Sequence, residues 1–264
     1  MKTILLTVAG YDPTSGAGVS LDLKVFQLMG FQGTGVLTSV TSQNTKTVNT
    51  IHCLPADLVW NQYKILCDDL PISGIKIGMV CNKNIMETIG KILDSKPNIP
   101  KVIDPVIKSS SGKWLLEKGS VSLYMKHITG KASLITPNLE EACIISGIKI
   151  NDREHLERAA ETIFSKLKFP CLIKGFYSKD HVHDLLYDGK NYKYIKKVKK
   201  DKKVHGTGCF YSSTILGNLA KGDNLEMACV NASNLIQNAI TNALSFGQGQ
   251  SLISFHSLKP ERFK

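Results

Sequence analysis

The chain lacks any apolar run approaching the ~20 residues that a membrane-spanning helix needs, so no span and no membrane partner are expected. It lacks a CxxC pair: its cysteines stand apart at Cys53, Cys67, Cys81, Cys143, Cys171, Cys209 and Cys229. Their odd number and scatter argue against a disulfide framework and against structural zinc. Most of them read as small buried hydrophobes of a protein kept in a reducing cytoplasm. Aromatic residues are only 7% of the chain, and few interleave the richest basic run, KYIKKVKKDKK over Lys193 to Lys203. Without helix-turn-helix or zinc-finger spacing, that run is weak support for nucleic-acid binding. It reads as a solvated edge strand whose lysines block sheet-to-sheet pairing. The net charge of +11 also suits anionic small substrates. A Walker A loop is missing, because Gly16 is followed by Ala17-Gly18 where GK[ST] is required. No GxGxxG follows the first strand, which weakens a dinucleotide reading. No linker composition and no internal repeat divides the chain, so one domain over residues 1–264 is expected.

What is present is an alternation of short β-branched runs with helical patterns. The start, MKTILLTVAGYDP, has too short an apolar run for a signal peptide, and Asp12-Pro13 stands where a cleavage site would lie. Thr3–Ala9 reads as a buried strand. From Ala17 the face of Val19, Leu23 and Phe26 reads as a helix ending near Gly30. Strands are expected over 35–40, 73–77, 101–104, 133–136 and 171–174. Helices are expected over 57–70, around Ile85, Ile89 and Ile92, after Asn138, and behind the capping signal at Asn151-Asp152. His183–Tyr187 and Asn191–Val198 read as a hairpin turning at Asp188-Gly189. A helix after Cys209 runs to about Ala220, and Asp223 is expected to cap a long last helix. The alternation predicts an α/β fold: a mostly parallel sheet with helices on both faces and an antiparallel edge. Ligands of such sheets bind beyond the carboxyl ends of the strands. Gly10 to Asp12, Gln43, Met79, Asp104, Asn138, Lys174 and Cys209 all fall there.

Three clusters carry candidate chemistry. His205-Gly206-Thr207-Gly208-Cys209 opens a helix, and glycines with unpaired helix N–H groups make an anion site; equally, they make an ordinary helix start. Gly10-Tyr11-Asp12-Pro13-Thr14-Ser15-Gly16-Ala17-Gly18 joins the first strand to the first helix, as a ligand loop or as a turn and cap. Asp22, inside that helix, reads as a solvated face residue. Asp104-Pro105 with Asn138 and Glu141 offers carboxylates for Mg²⁺ beside phosphates, while Asn138-x-x-Glu141 fits a capping box as well. Gln43-Asn44 taken alone reads as a loop amide pair.

These clusters, in this order, resemble the hydroxymethylpyrimidine/phosphomethylpyrimidine kinase family of the ribokinase-like superfamily. The resemblance rests on AGYDPTSGAGVSLDLKVF (9–26), TSQNT (41–45), KIGM (76–79), DPV (104–106), SLITPNLEEA (133–142), IKG (173–175), HGTGC (205–209) with Ser212-Ser213, and Gly247 with Gly249. It spans residues 3 to 250. It implies a three-layer α/β/α ribokinase-like kinase that uses ATP and Mg²⁺. Such an enzyme phosphorylates 4-amino-5-hydroxymethyl-2-methylpyrimidine and then its monophosphate, for thiamine biosynthesis, as a cytoplasmic homodimer. By resemblance, Gln43 meets the aminopyrimidine edge, Met79 and Val106 form apolar walls, and Gly10, Asp12 and Ala17 line the pocket. Asp104 and Glu141 stand near Mg²⁺, with Asn138, Lys174 and Thr207 on the nucleotide side. Gly206, Thr207, Gly208 and Cys209 form the catalytic anion hole, with Cys209 either taking the hydroxyl proton or only orienting the hydroxyl.

Related pyridoxal kinases lack matching SQN text, which favours the pyrimidine over the pyridoxal/pyridoxine alternative. A basic nucleic-acid-binding protein and a catalytically silent sensor are the readings from other classes; intact Cys209, Asp104 and Glu141 argue against the sensor. The chain departs from the family pattern at Tyr11 and Ser15, at Phe176-Tyr177 where KGGH is usual, at Ile107, and at Gln250 in the last motif. Phe210 also departs, and is expected to remove a hydroxyl near the phosphate.

Overall fold

The protein, as a computed structural model, is described over residues 3–109, 112–178 and 181–258. Nine strands form one sheet: β1 (Ile4–Tyr11), β2 (Gln32–Gln43), β3 (Val48–Cys53), β4 (Ile72–Ile77), β5 (Lys101–Ile103), β6 (Leu134–Ile135), β7 (Cys171–Ser178), β8 (His181–Tyr187) and β9 (Tyr192–Val198). Their order is β3-β2-β1-β4-β5-β6-β7-β8-β9. The pairings from β2 through β7 are parallel. Antiparallel strands close both edges, β3 on one side and β8–β9 on the other.

The alternation of side chains in β1 shows why two helical layers are needed. Ile4, Leu6 and Val8 belong to one apolar cluster and Leu5 to the other. A strand buried on both faces needs cover on both. On the first face lie α2 (Ala56–Asp69), α3 (Lys83–Ser95), α4 (Val121–Ile128), α5 (Leu139–Ser146) and α6 (Arg153–Leu167). The second face carries α1 (Gly18–Leu28), α7 (Thr207–Ala220) and α8 (Leu225–Thr241). In α3 the apolar residues Ile85, Met86, Ile89, Ile92 and Leu93 recur at helical spacing and are all buried.

Several expectations are corrected. Strand β3 and helix α4 had no clear sequence signal: VNTIHC is short and only partly buried, and α4 is eight residues long. Asn224, not Asp223, caps α8, accepting from Met227 N. Asp22 is not on a solvated face: it is fully buried and paired with Lys76, Nζ to Oδ2 2.8 Å. Phe210 does not approach the phosphate side, because it points into the second apolar cluster and is fully buried. The cysteines are not all separate thiols. Cys53, at the end of β3, is disulfide-bonded to Cys81 after β4, with Cα atoms 6.0 Å apart. The pairing was hidden because β3 itself was.

The first part of the basic run, Lys193 to Val198, lies in β9, the outermost strand, in keeping with the edge reading. Its lysines meet acidic partners: Lys193 with Glu226 at 2.6 Å and Lys197 with buried Asp184 at 2.5 Å. No helix among the described residues is long and apolar enough to cross a membrane.

Candidate active site

A cavity of about 450 Å³ opens at the carboxyl ends of the parallel strands. The strand ends and the loops after them carry Gly10 and Asp12 (β1), Gln43 (β2), Met79 (β4), Asp104 and Val106 (β5), Asn138 and Glu141 (β6) and Lys174 (β7) into its lining. Ala17, at the N-cap of α1, and Gly206 to Cys209, at the start of α7, complete it. Every residue assigned to the site from the sequence therefore lines one space, whereas Asp22 does not. The lining also includes Tyr11, Gly18, the β2–β3 turn from Thr45 to Val48, and His205. Of these, Lys46 to Val48 carried no signal, because a two-strand edge was not foreseen.

The start of α7 is built by close backbone contact. Gly206 has φ +75°, and a Cβ there would lie 1.7 Å from the Gly16 carbonyl oxygen. Only glycine fits that approach. It brings the 10–18 loop against α7, whose first-turn N–H groups have no partner within the helix. Gly208 differs: a Cβ there would stand 3.4 Å from both Asp104 Oδ2 and Lys174 Nζ. The first turn of α7 thus faces a cation and a carboxylate across a narrow gap.

The charges are arranged in two tiers. Lining the cavity, Lys174 Nζ donates to Asp104 Oδ1 at 2.9 Å, and Thr136 Oγ1 donates to the same oxygen at 3.3 Å. Glu141 completes a capping box: its Oε2 accepts from Asn138 N at 2.9 Å, and Asn138 Oδ1 accepts from Glu141 N at 2.9 Å. Glu141 Oε1 also accepts from Ile107 N at 3.0 Å. That bond anchors the turn in which Val106 takes φ +35°, a strained conformation for a β-branched residue. Burial lifts the Glu141 carboxyl to about 7; Lys174 opposes this and Asp104 reinforces it.

Beneath the cavity lies the second tier. Asp22 accepts from Lys76 Nζ at 2.8 Å, Thr7 Oγ1 at 2.6 Å and Ser213 Oγ at 2.7 Å. This ties β4, β1 and α7 to α1. Burial pushes the Cys209 thiol up to about 11, although Lys76 and a bond from the Gly18 N–H pull it back. At neutral pH the thiol of the free protein keeps its proton.

The residues can accommodate a hard dication. Both Glu141 oxygens are bonded to backbone N–H groups and Asp104 Oδ1 to Lys174, so the protein offers few free carboxylate lone pairs. Among the described residues no cluster of three or more His, Cys, Asp or Glu side chains is placed to hold a metal. That donor set fits Mg²⁺ held chiefly by phosphate oxygens and water, which is its usual habit.

The family model described as phosphomethylpyrimidine kinase matches residues 12–254. A hydroxymethylpyrimidine/phosphomethylpyrimidine kinase of Aquifex aeolicus is 37% identical over 96% of this chain and 100% of its own. Among solved structures, the phosphomethylpyrimidine kinase of Clostridium difficile shares 33% identity, with TM-score 0.79 over 90% of this chain and 100% of that one. The pyridoxal kinase of Staphylococcus aureus in complex with AMP-PCP shares 28%, with TM-score 0.86 over 96% and 93%. The fold is thus common to both kinds of kinase, while the family match and the 37% relative point to one of them. The chain belongs to the phosphomethylpyrimidine kinase family.

Proposed function

We propose that this protein is a kinase that transfers the γ-phosphoryl group of ATP to the hydroxymethyl group of 4-amino-5-hydroxymethyl-2-methylpyrimidine. It then phosphorylates the monophosphate, supplying thiamine biosynthesis. One observation carries this: the anion-binding start of α7 and the amide of Gln43 open on the same cavity. A flat aminopyrimidine can then be held at one end while its alcohol faces the phosphoryl group.

Phosphoryl transfer demands positioning and charge stabilisation more than covalent help. The first-turn N–H groups of α7 serve the γ-phosphoryl oxygens as charge shifts onto them. Lys174 lies on the same side and neutralises phosphate charge, with Asn138 and Thr207 on the nucleotide side. Met79 and Val106 sandwich the ring, and Gly10, Asp12 and Ala17 shape the floor. Asp104 and Glu141 are the residues that would hold Mg²⁺, which would offset phosphate charge. Cys209 meets the alcohol as a neutral thiol and keeps it in line, because burial holds the thiol protonated. The alcohol gives up its proton late, to a phosphoryl oxygen, as suits a loose transition state. The family reading carries with it a cytoplasmic homodimer with neither nucleic acid nor membrane as partner.

Pyridoxal is the competing acceptor, favoured by the fold shared with pyridoxal kinases. Turnover of each alcohol with Mg-ATP separates them. Faster turnover of pyridoxal would overturn the pyrimidine assignment.

A further inference from the structure

Asp12, His205 and Gln43 meet at one edge of the cavity. His205 Nε2 lies 2.8 Å from Asp12 Oδ2 and 3.5 Å from the amide nitrogen of Gln43. Asp12 Oδ1 accepts from Thr14 N and from Thr14 Oγ1, both at 2.8 Å. Burial alone would raise the Asp12 carboxyl; the bonds from His205 and Thr14 outweigh it and hold the group below the usual carboxylate range. Asp12 is therefore a carboxylate and can only accept. The proton between the two residues belongs to His205 Nε2, which donates it to Asp12. A ring nitrogen carrying that proton cannot also accept from Gln43, so an amide NH₂ placed there meets an N–H, donor against donor.

A half-turn about the last side-chain bond of Gln43 exchanges its oxygen and nitrogen without changing its shape. The oxygen then faces the His205 N–H as the second, longer acceptor of the hydrogen that goes mainly to Asp12, and donor no longer meets donor. We infer that His205, fixed by Asp12, sets the direction of the Gln43 amide: its oxygen lies toward His205 and its NH₂ is left for the ligand. The oxygen keeps a second lone pair. Gln43 thus presents a donor and an acceptor side by side in a fixed order. The complementary edge is an unprotonated ring nitrogen next to an amino group. A 4-oxo analogue offers the opposite order, an N–H next to a carbonyl, and is refused because each group then faces its own kind. His205 is a positioning residue for substrate selection, acting through Gln43.

The inference rests on the pyrimidine reading above. It is tested by measuring kcat/KM for the 4-amino alcohol and for its 4-oxo analogue, with Mg-ATP, in the wild type, His205→Ala and His205→Gln. Melting curves check that each variant folds. The wild type should prefer the amino form by a hundredfold or more, on the order of two mismatched hydrogen bonds. In His205→Ala the amide is free to turn, and the preference should fall about tenfold, the loss of one oriented bond, through KM more than kcat. His205→Gln keeps an N–H donor and should restore most of it. An alanine variant with the wild-type preference overturns the inference, as does a glutamine variant no better than alanine. If His205→Ala does not fold, Asp12→Asn takes its place: a neutral amide no longer fixes the proton on Nε2, and an unchanged preference overturns the inference. A wild type that phosphorylates neither pyrimidine overturns the pyrimidine reading, and this inference with it.

Discussion

Replacing Lys76 by methionine probes the tier of charge under the active site. Lys76 and Asp22 are both fully buried, and the substitution leaves Asp22 with only the hydroxyls of Thr7 and Ser213. Removing one partner of a buried pair costs about 3–5 kcal/mol, because the other charge is stranded. Asp22 has one escape, which is to take a proton. That costs about 1.4 kcal/mol for each pH unit above its unfolded value, which is 3.8. The escape therefore costs roughly 4 kcal/mol at pH 7 and under 2 kcal/mol at pH 5, and the two routes agree near neutrality. In the variant the folded pKa of Asp22 rises further above the unfolded one, so stability is lost as pH rises. At about 2–4 °C per kcal/mol, Lys76→Met should melt roughly 6–20 °C below the wild type at pH 7, and much closer to it at pH 5. Adding Asp22→Asn removes the stranded charge, keeps an acceptor for one of the two hydroxyls while its NH₂ donates to the other, and should recover stability and flatten the pH dependence. Scanning calorimetry of the three proteins from pH 5 to 8 measures this. A Lys76→Met protein within 2 °C of the wild type at pH 7, or with the same deficit at pH 5 and 8, would refute the reasoning.

Further predictions concern the cavity itself. Gly206→Ala adds a Cβ 1.7 Å from a backbone oxygen at φ +75°, and should destabilise by at least about 2 kcal/mol in urea melts. Gly208→Ala should melt like the wild type but lose at least about tenfold in kcat/KM, its methyl filling the gap before Asp104 and Lys174; unchanged kinetics would remove that gap from the phosphate path. Cys209→Ser should stay within about tenfold of wild-type kcat, and Cys209→Ala, which leaves the alcohol unpositioned, should fall on the order of a hundredfold. Iodoacetamide labelling of Cys209 should titrate near pH 11, and an apparent pKa below 8 would restore a thiolate base. The Glu141 carboxyl is raised from 4.5 to about 7, so its stabilising contribution is complete below pH 4.5 and fades as pH rises through 7. Glu141→Gln should flatten the melting temperature of the ligand-free protein between pH 5 and 8; a persisting slope would place the titration elsewhere.

Much of the parallel sheet was legible because strand and helix periods alternate cleanly from Thr3 to Lys174. The positions of Gly10, Asp104, Asn138 and Lys174 at or just after strand ends, and of Cys209 at a helix start, followed from that alternation. What escaped were features with no local period. Strand β3 is short, half-exposed and at an edge, so VNTIHC reads as a loop, and the bond between Cys53 and Cys81 went unseen with it. The burial of Asp22 depends on Lys76, which lies 54 residues away. No windowed reading finds such a pair. Phe210 was misjudged for a related reason: its place on α7 relative to the core is fixed by how the helix packs against Phe255, ring centroids 6.1 Å apart.

The choice of acceptor separates the two kinds of kinase that share this fold. Steady-state transfer from Mg-ATP to 4-amino-5-hydroxymethyl-2-methylpyrimidine and to pyridoxal, measured in parallel as kcat/KM, tests it directly. Gln43 and the start of α7, opening on one cavity, predict the higher value for the pyrimidine alcohol, followed by transfer to its monophosphate. A higher value for pyridoxal would contradict it.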